Sequence, residues 1–152
     1  MKRSLVKKVL ISTVTTAALL GATVFSVSAA EYVSVTSDGV NLRSGPGTNY
    51  EAIYQLPVHY PIRVLSKKGQ WMKIEDYEGD KGWIYDTLVS ASPYVIVKVE
   101  EGNVRSGPGT NNAKVGTVSK DVILKKDSNQ GDWVQISHPE IKGWVHRSLV
   151  WP

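Results

Sequence analysis

The chain of 152 residues contains no cysteine. That excludes disulfide staples, a thiol nucleophile of the papain kind, and a lipid anchor attached at a cysteine behind a leader. Histidine is scarce, with His59, His138 and His146 the three present. None lies near a nucleophile-elbow motif, so serine catalysis lacks its base, and no His-x-x-x-His or His-x-x-Glu spacing offers a zinc site. His59 and His138 neighbour prolines and read as solvent-exposed loop residues. The carboxylates Glu75, Asp76, Glu78 and Asp80 gather in one stretch. They lack the calcium-loop spacing of glycine and terminal glutamate, and read as a solvated face. No cofactor and no metal is implied. A helical period is also missing: no segment repeats its apolar residues at three and four.

A strongly basic mature chain is missing too. The formal charge is +4, but Lys2, Arg3, Lys7 and Lys8 supply all of it. They precede an apolar run from Val9 to Val27 and the small residues Ser28-Ala29-Ala30. This is the pattern of a secretory signal peptide over residues 1–30, cleaved after Ala30; the rival reading is a retained membrane anchor. Without those four basic residues the rest of the chain holds fourteen basic and fourteen acidic side chains. No electrostatic footprint for nucleic acid or for an anionic membrane surface survives. The expected location is secreted or in the cell envelope.

What is present is a repeat. Arg43-Ser44-Gly45-Pro46-Gly47-Thr48-Asn49 returns letter for letter as Arg105 to Asn111, 62 residues later. Tyr32 and Tyr94, then Trp71 and Trp133, keep that offset; Trp83 and Trp144, then Leu88 and Leu149, stand 61 apart. The lost residue falls before the last Gly-Trp and marks a surface loop there. The repeated stretch is turn chemistry: Pro46 pre-sets its φ, and Gly47 is expected at the positive φ of a type II turn. It has neither the spacing nor the following helix of a phosphate cradle.

Around this turn run short β-type segments: Tyr32–Val35, Val40–Leu42, Ala52–Leu56, Ile62–Val64, Trp71–Ile74 and Trp83–Tyr85, with turns expected at Ser37–Gly39 and Ser66–Gly69. Short strands separated by turn signals predict an all-β fold, two tandem small barrels. The units are residues 31–89 and 94–152, joined by a linker at 90–93. That linker reaches about 14 Å at most, so the units should sit close together. A unit of about sixty residues without disulfides is marginal by buried area alone. Five Trp and seven Tyr offer large areas in compensation.

These motifs together, Val40-Asn41-Leu42-Arg43-Ser44-Gly45-Pro46-Gly47-Thr48, Trp71-Met72-Lys73-Ile74 and Gly82-Trp83-Ile84 with Leu88, and their second copies, resemble the bacterial SH3 (SH3b, type 3) domain family. The resemblance covers both units. It implies an SH3-like barrel, twice, and a targeting role: members often accompany cell-wall hydrolases, and several bind peptidoglycan or its peptides. Here no catalytic domain accompanies the repeats, which argues against hydrolase activity.

Alternation assigns the strand faces. Met72 and Ile74 point inward, as do Ile84, Val134, Ile136 and Val145; Trp71, Trp83, Tyr85, Trp133 and Trp144 then face outward, with His146 at the place of Tyr85. Two readings stand for these aromatics: packing beneath the Gly-Pro-Gly loop, or a groove for an extended peptide or glycan. Arg43 and Arg105 are loop braces or ligand contacts, with bracing favoured. Asn49, Tyr50 and Asn111 complete the candidate binding set. The function expected is an exported, non-enzymatic binder of cell-wall peptidoglycan or wall peptide. The alternatives are an adaptor docking an exported protein, and a cell-wall hydrolase or its accessory subunit.

Overall fold

The computed structural model describes residues 29–152; the expected leader lies outside the described residues except for Ala29 and Ala30. The first unit comprises β1 (Glu31–Val35), β2 (Val40–Arg43), β3 (Ala52–Leu56), β4 (Pro61–Lys68), β5 (Trp71–Glu75), β6 (Lys81–Tyr85), a 3-10 turn (Asp86–Leu88) and β7 (Val89–Ser90). The second repeats it as β8 (Tyr94–Val97), β9 (Glu101–Arg105), β10 (Lys114–Ser119), β11 (Ile123–Gln130), β12 (Trp133–His138), β13 (Ile141–His146), a 3-10 turn (Arg147–Leu149) and β14 (Val150–Trp151). Each unit is one antiparallel seven-stranded sheet, in the order β3-β2-β6-β5-β4-β1-β7 and β10-β9-β13-β12-β11-β8-β14. The fold is all-β, two tandem SH3-like barrels.

Each sheet curls because its long strand is bulged. In β4 the register jumps from Val64↔Ile74 to Ser66↔Lys73, and in β11 from Lys126↔Ile136 to Ser128↔Gln135. An extra residue on one strand bends it and increases its twist. The bulge also explains a difference from the sequence reading. Ser66 to Gly69 was expected as a turn, yet β4 runs on through Lys68, and the chain reverses at Gly69, with φ +58. The bulge breaks the alternation, and the polar residues beyond it lie on the solvent-facing half of the strand.

The inward residues close two separate cores. Leu42, Leu56, Ile62, Ile74 and Ile84 are almost wholly buried in the first; Val95, Val97, Val104, Leu124, Ile136 and Val145 are in the second. The expected inward set is among them, Met72 and Val134 included. The Gly-Trp motif is a matter of space. A Cβ on Gly82 would fall 2.6 Å from Leu42 Cγ and 3.0 Å from the Arg43 carbonyl oxygen; on Gly143 it would fall 2.5 Å from the Arg105 carbonyl oxygen. Only glycine lets β2 and β9 cross that closely over β6 and β13.

The acidic stretch is not a solvated face throughout. Asp76 is 4% exposed. It accepts hydrogen bonds from the Tyr54 hydroxyl at 2.7 Å and from the amides of Glu78 and Asp80 at 3.0 and 2.9 Å. It caps its own loop, a role invisible without knowing that Tyr54 of β3 points there. Burial, and after it the Asp76 hydrogen bond, hold the Tyr54 hydroxyl above the ordinary phenol range.

The units touch. Ser34 Oγ donates to the Ser92 carbonyl at 2.9 Å, Tyr32 meets Trp151 edge-on at 5.4 Å, and His59 stacks on Tyr94 at 4.1 Å. Tyr77 donates a short hydrogen bond to Asp121.

Candidate functional site

The repeated heptapeptide builds a loop against the outer aromatics. Its turn is not type II. Gly47 does not take positive φ, and Gly109 sits at φ +154, far from the roughly +80° that turn requires. Instead the Gly47 amide donates to the Gly45 carbonyl at 3.0 Å, a three-residue turn centred on Pro46, and the Tyr50 amide donates to the Gly47 carbonyl at 3.3 Å. The glycines serve close approach: a Cβ on Gly45 would run into the Tyr50 ring, and one on Gly107 would fall 2.7 Å from the Asn112 side chain. The arginines brace the loop. Arg43 Nη1 donates to the carbonyls of Thr48 (3.2 Å) and Tyr50 (2.8 Å), and Arg105 Nη1 donates to the Asn112 carbonyl at 2.9 Å.

Strand register places the aromatics beside that loop. Trp71 pairs with Tyr85 across β5 and β6, and their rings meet edge-on at 5.3 Å. Trp133 pairs with His146 in the same way at 5.4 Å. Tyr85 donates to Gln70 Oε1 at 2.6 Å, and His146 Nδ1 lies 2.7 Å from Ser148 Oγ. Each pair is half-buried and belongs to neither core cluster.

An open groove of about 760 Å³ lies between this pair and the loop in the first unit. Of the candidate residues, Arg43, Asn49, Trp71 and Tyr85 line it. Its far wall is Ser37, Asp38 and Asn41, with Leu88 at the floor. The equivalent groove of the second unit is smaller, about 220 Å³, and brings Arg105 and Trp133 together with Asn103, Glu101 and His146. Four candidates lie outside the grooves. Trp83 and Trp144 stand one pair along the same face, opposite Lys73 and Gln135. Tyr50 covers the two glycines and is 43% exposed. Asn111 stays with its own loop, its Oδ1 beside Gly109.

The sequence reading treated Ser37–Gly39 only as a turn and so missed the wall. No local signal marks it: Asp38 Oδ1 accepts from the Val58 amide at 2.8 Å, a partner twenty residues along the chain. The first groove combines an aromatic face, two amides, hydroxyls and one carboxylate already engaged. It suits an extended polar ligand held by stacking and hydrogen bonds.

A model of the bacterial SH3 domain matches residues 38–90 and 100–150. The chain belongs to that family, in two copies. It is also similar to YrvJ of Bacillus subtilis (strain 168), provisionally named an N-acetylmuramoyl-L-alanine amidase: 30% identity over 140 residues, 82% of this chain and 26% of that protein. The chain thus spans about a quarter of that relative's length. Among solved structures it resembles NlpC2 of Trichomonas vaginalis (15% identity, 82% of this chain and 48% of that one). It also resembles an NlpC/P60 family protein of Bacillus cereus ATCC 10987 (14% identity, 79% and 55%). Both have a TM-score of 0.37, and at that level the likeness carries no weight.

Proposed function

We propose that this protein is an exported, non-catalytic binder of the bacterial cell wall that takes peptidoglycan or its peptides in the Trp71 and Trp133 grooves. The observation behind this reading is that one groove is built twice. The same arginine-braced loop and the same edge-on geometry recur, Trp71 on Tyr85 at 5.3 Å and Trp133 on His146 at 5.4 Å, on two barrels joined through residues 91–93. A polymeric ligand rewards such duplication, since the second engagement is intramolecular. The cell-wall association of the family and the name of the related B. subtilis protein support the same ligand.

The test is sedimentation with purified sacculi. Trp71 lies outside the core, so Trp71→Ala should stay folded by circular dichroism and lose retention several-fold; Trp71→Ala/Trp133→Ala should lose more than either single variant. Folded variants with undiminished retention would remove these grooves as the binding surface. Capture of an exported protein in place of sacculi would make the protein an adaptor, and a cleared zone on a cell-wall zymogram would make it a hydrolase.

A further inference from the structure

We propose that the cleft between the two barrels is a further binding site, for an acidic peptide segment, and that neither barrel possesses it alone. The cleft measures about 870 Å³, larger than either aromatic groove. The turn Pro57-Val58-His59 of the first unit forms one wall. Ile123 and Pro139 of the second unit form the apolar part of the other.

Its width is set by a reciprocal contact. His59 and Asp121 occupy the same place in the two copies, 62 residues apart. Both are non-glycine residues in the left-handed region, at φ 67 and 68. Each amide donates at 2.8 Å to the last strand residue of its own unit's first strand, His59 to Val35 and Asp121 to Val97. Each side chain then reaches the other unit, His59 onto Tyr94 and Asp121 to the Tyr77 hydroxyl. Two equivalent turns, each held in a sparsely populated conformation, therefore fix the walls relative to each other.

The charge selects the ligand. Lys125 and Lys142 line the cleft, are exposed, and form no ion pair among the described residues. Asp121, on the same barrel as the lysines, accepts from Tyr77 of the first unit, and the lysines leave the lining with an excess of positive charge. His138 adds a ring nitrogen to the rim. Two unpaired ammonium groups beside valine, isoleucine and proline walls match a segment with spaced carboxylates and small apolar side chains. The His59 and Tyr94 rings lie parallel, 8° apart, so the stack takes up one face of each.

The probe is a fluorescent Glu-Ala-Pro-Ala-Glu peptide at low salt, read by anisotropy with the full chain, beside its Gln-for-Glu isostere. The acidic peptide should bind at least tenfold tighter than the isostere. Lys125→Glu/Lys142→Glu should abolish that difference. His59→Gly, which suits the left-handed position and so keeps the fold, should weaken binding several-fold by removing the ring that spans from one wall to the other. Retention on sacculi through Trp71 should be unchanged in both variants, which separates this site from the aromatic grooves. Amide shifts in the wild-type protein should move at Ile123, Lys125 and Lys142. Equal binding of the isostere, no binding of either peptide at millimolar concentration, undiminished binding by the lysine variant, or shifts confined to the Trp71 and Trp133 grooves would overturn the site. A uronic-acid oligosaccharide binding tighter than the peptide would overturn the ligand class. Undiminished binding by His59→Gly would overturn the requirement for both barrels.

Discussion

Replacing Gly82 by alanine adds one methyl group where the structure has no room. The new carbon would lie 2.6 and 2.9 Å from Cγ and Cδ1 of Leu42, and 3.0 Å from the Arg43 carbonyl oxygen. Leu42 is fully buried and cannot swing into solvent. The Arg43 carbonyl is backbone in the single β2–β6 bridge, Arg43↔Trp83. Relief must come from an off-rotamer Leu42 or from β2 backing away, and overpacking of this kind costs about 1–3 kcal/mol. A unit of about sixty residues has only about 3–9 kcal/mol in total, so the melting temperature should fall by about 5–20 °C. Gly143→Ala should cost at least as much, because its nearest obstacle, at 2.5 Å, is the Arg105 carbonyl itself. Calorimetry gives the magnitude, and hydrogen exchange locates it in β2 and β6, where slow amides should open first. There is a functional consequence as well. A displaced β2 carries Arg43 with it, and Arg43 holds the loop that walls the groove. Retention on sacculi should therefore drop with stability. Gly79→Ala serves as the comparison: its Cβ meets nothing within 4 Å, so only the strain at φ +92 is paid, about 1 kcal/mol. Melts of Gly82→Ala and Gly143→Ala within about 2 °C of the parent would refute the account of the Gly-Trp motif.

Gly45→Ala should disturb the first groove more than Gly47→Ala, in both melting temperature and sacculus retention. The first forces the Tyr50 ring out of place, whereas the second meets the Asn49 side-chain oxygen at 2.5 Å, which can rotate away. Tyr54→Phe removes a donor from the buried Asp76 carboxylate; it should cost about 1–3 kcal/mol in urea denaturation and speed amide exchange over residues 76–80. Alkali should destabilise the first unit before the second. The hydroxyls of Tyr54 and Tyr60 are raised above the ordinary value of 10.0, chiefly by burial, and that of Tyr77 chiefly by its hydrogen bond to Asp121. The folded state then holds these protons more tightly than the unfolded chain does. Their contribution is fully present below pH 10 and is lost as pH rises above it. Gly116 and Val122 replace Tyr54 and Tyr60 in the second unit, so urea midpoints at pH 9 and pH 11 should separate the two barrels.

Much of the fold was legible because the chain states it twice. The repeated heptapeptide and the paired tryptophans fixed the unit and its period, and alternation in Trp71–Ile74 and Trp133–Ile136 assigned the core face correctly. Three features were hidden, each for a physical reason. The bulges in β4 and β11 break alternation in the middle of a strand, so the polar half of β4 reads as a turn. Asp76 looks like one more surface acid until Tyr54 of a distant strand is placed over it. The glycines of the heptapeptide invite a type II turn, because glycine's commonest use in a turn is positive φ; here they make room for Tyr50 and Asn112, two side chains that differ between the copies. The groove was half legible. Its aromatic and arginine side came from the motif, but its Ser37–Asp38 wall comes from a turn whose approach to the Trp71 face only the closed barrel reveals.

The two copies keep their scaffold and change their candidate grooves. The edge-on aromatic geometry is the same in both, yet Tyr85, held by Gln70, becomes His146, held by Ser148. The glycine of the β1–β2 turn, Gly39, is matched by Glu101, a longer and charged side chain at the rim, and the groove shrinks from about 760 to about 220 Å³. A pair of identical sites would gain only by repetition. A pair of unequal sites can read two features of one polymer, provided their spacing is fixed. Contacts between the barrels fix it: the His59–Tyr94 stack, the Tyr32–Trp151 pair and the Tyr77 hydrogen bond to Asp121 span the junction, and Ser34 ties the linker to the first barrel. Orientation settled during folding need not be settled again on binding, so the entropy that a flexible tandem would lose at its second engagement is already spent.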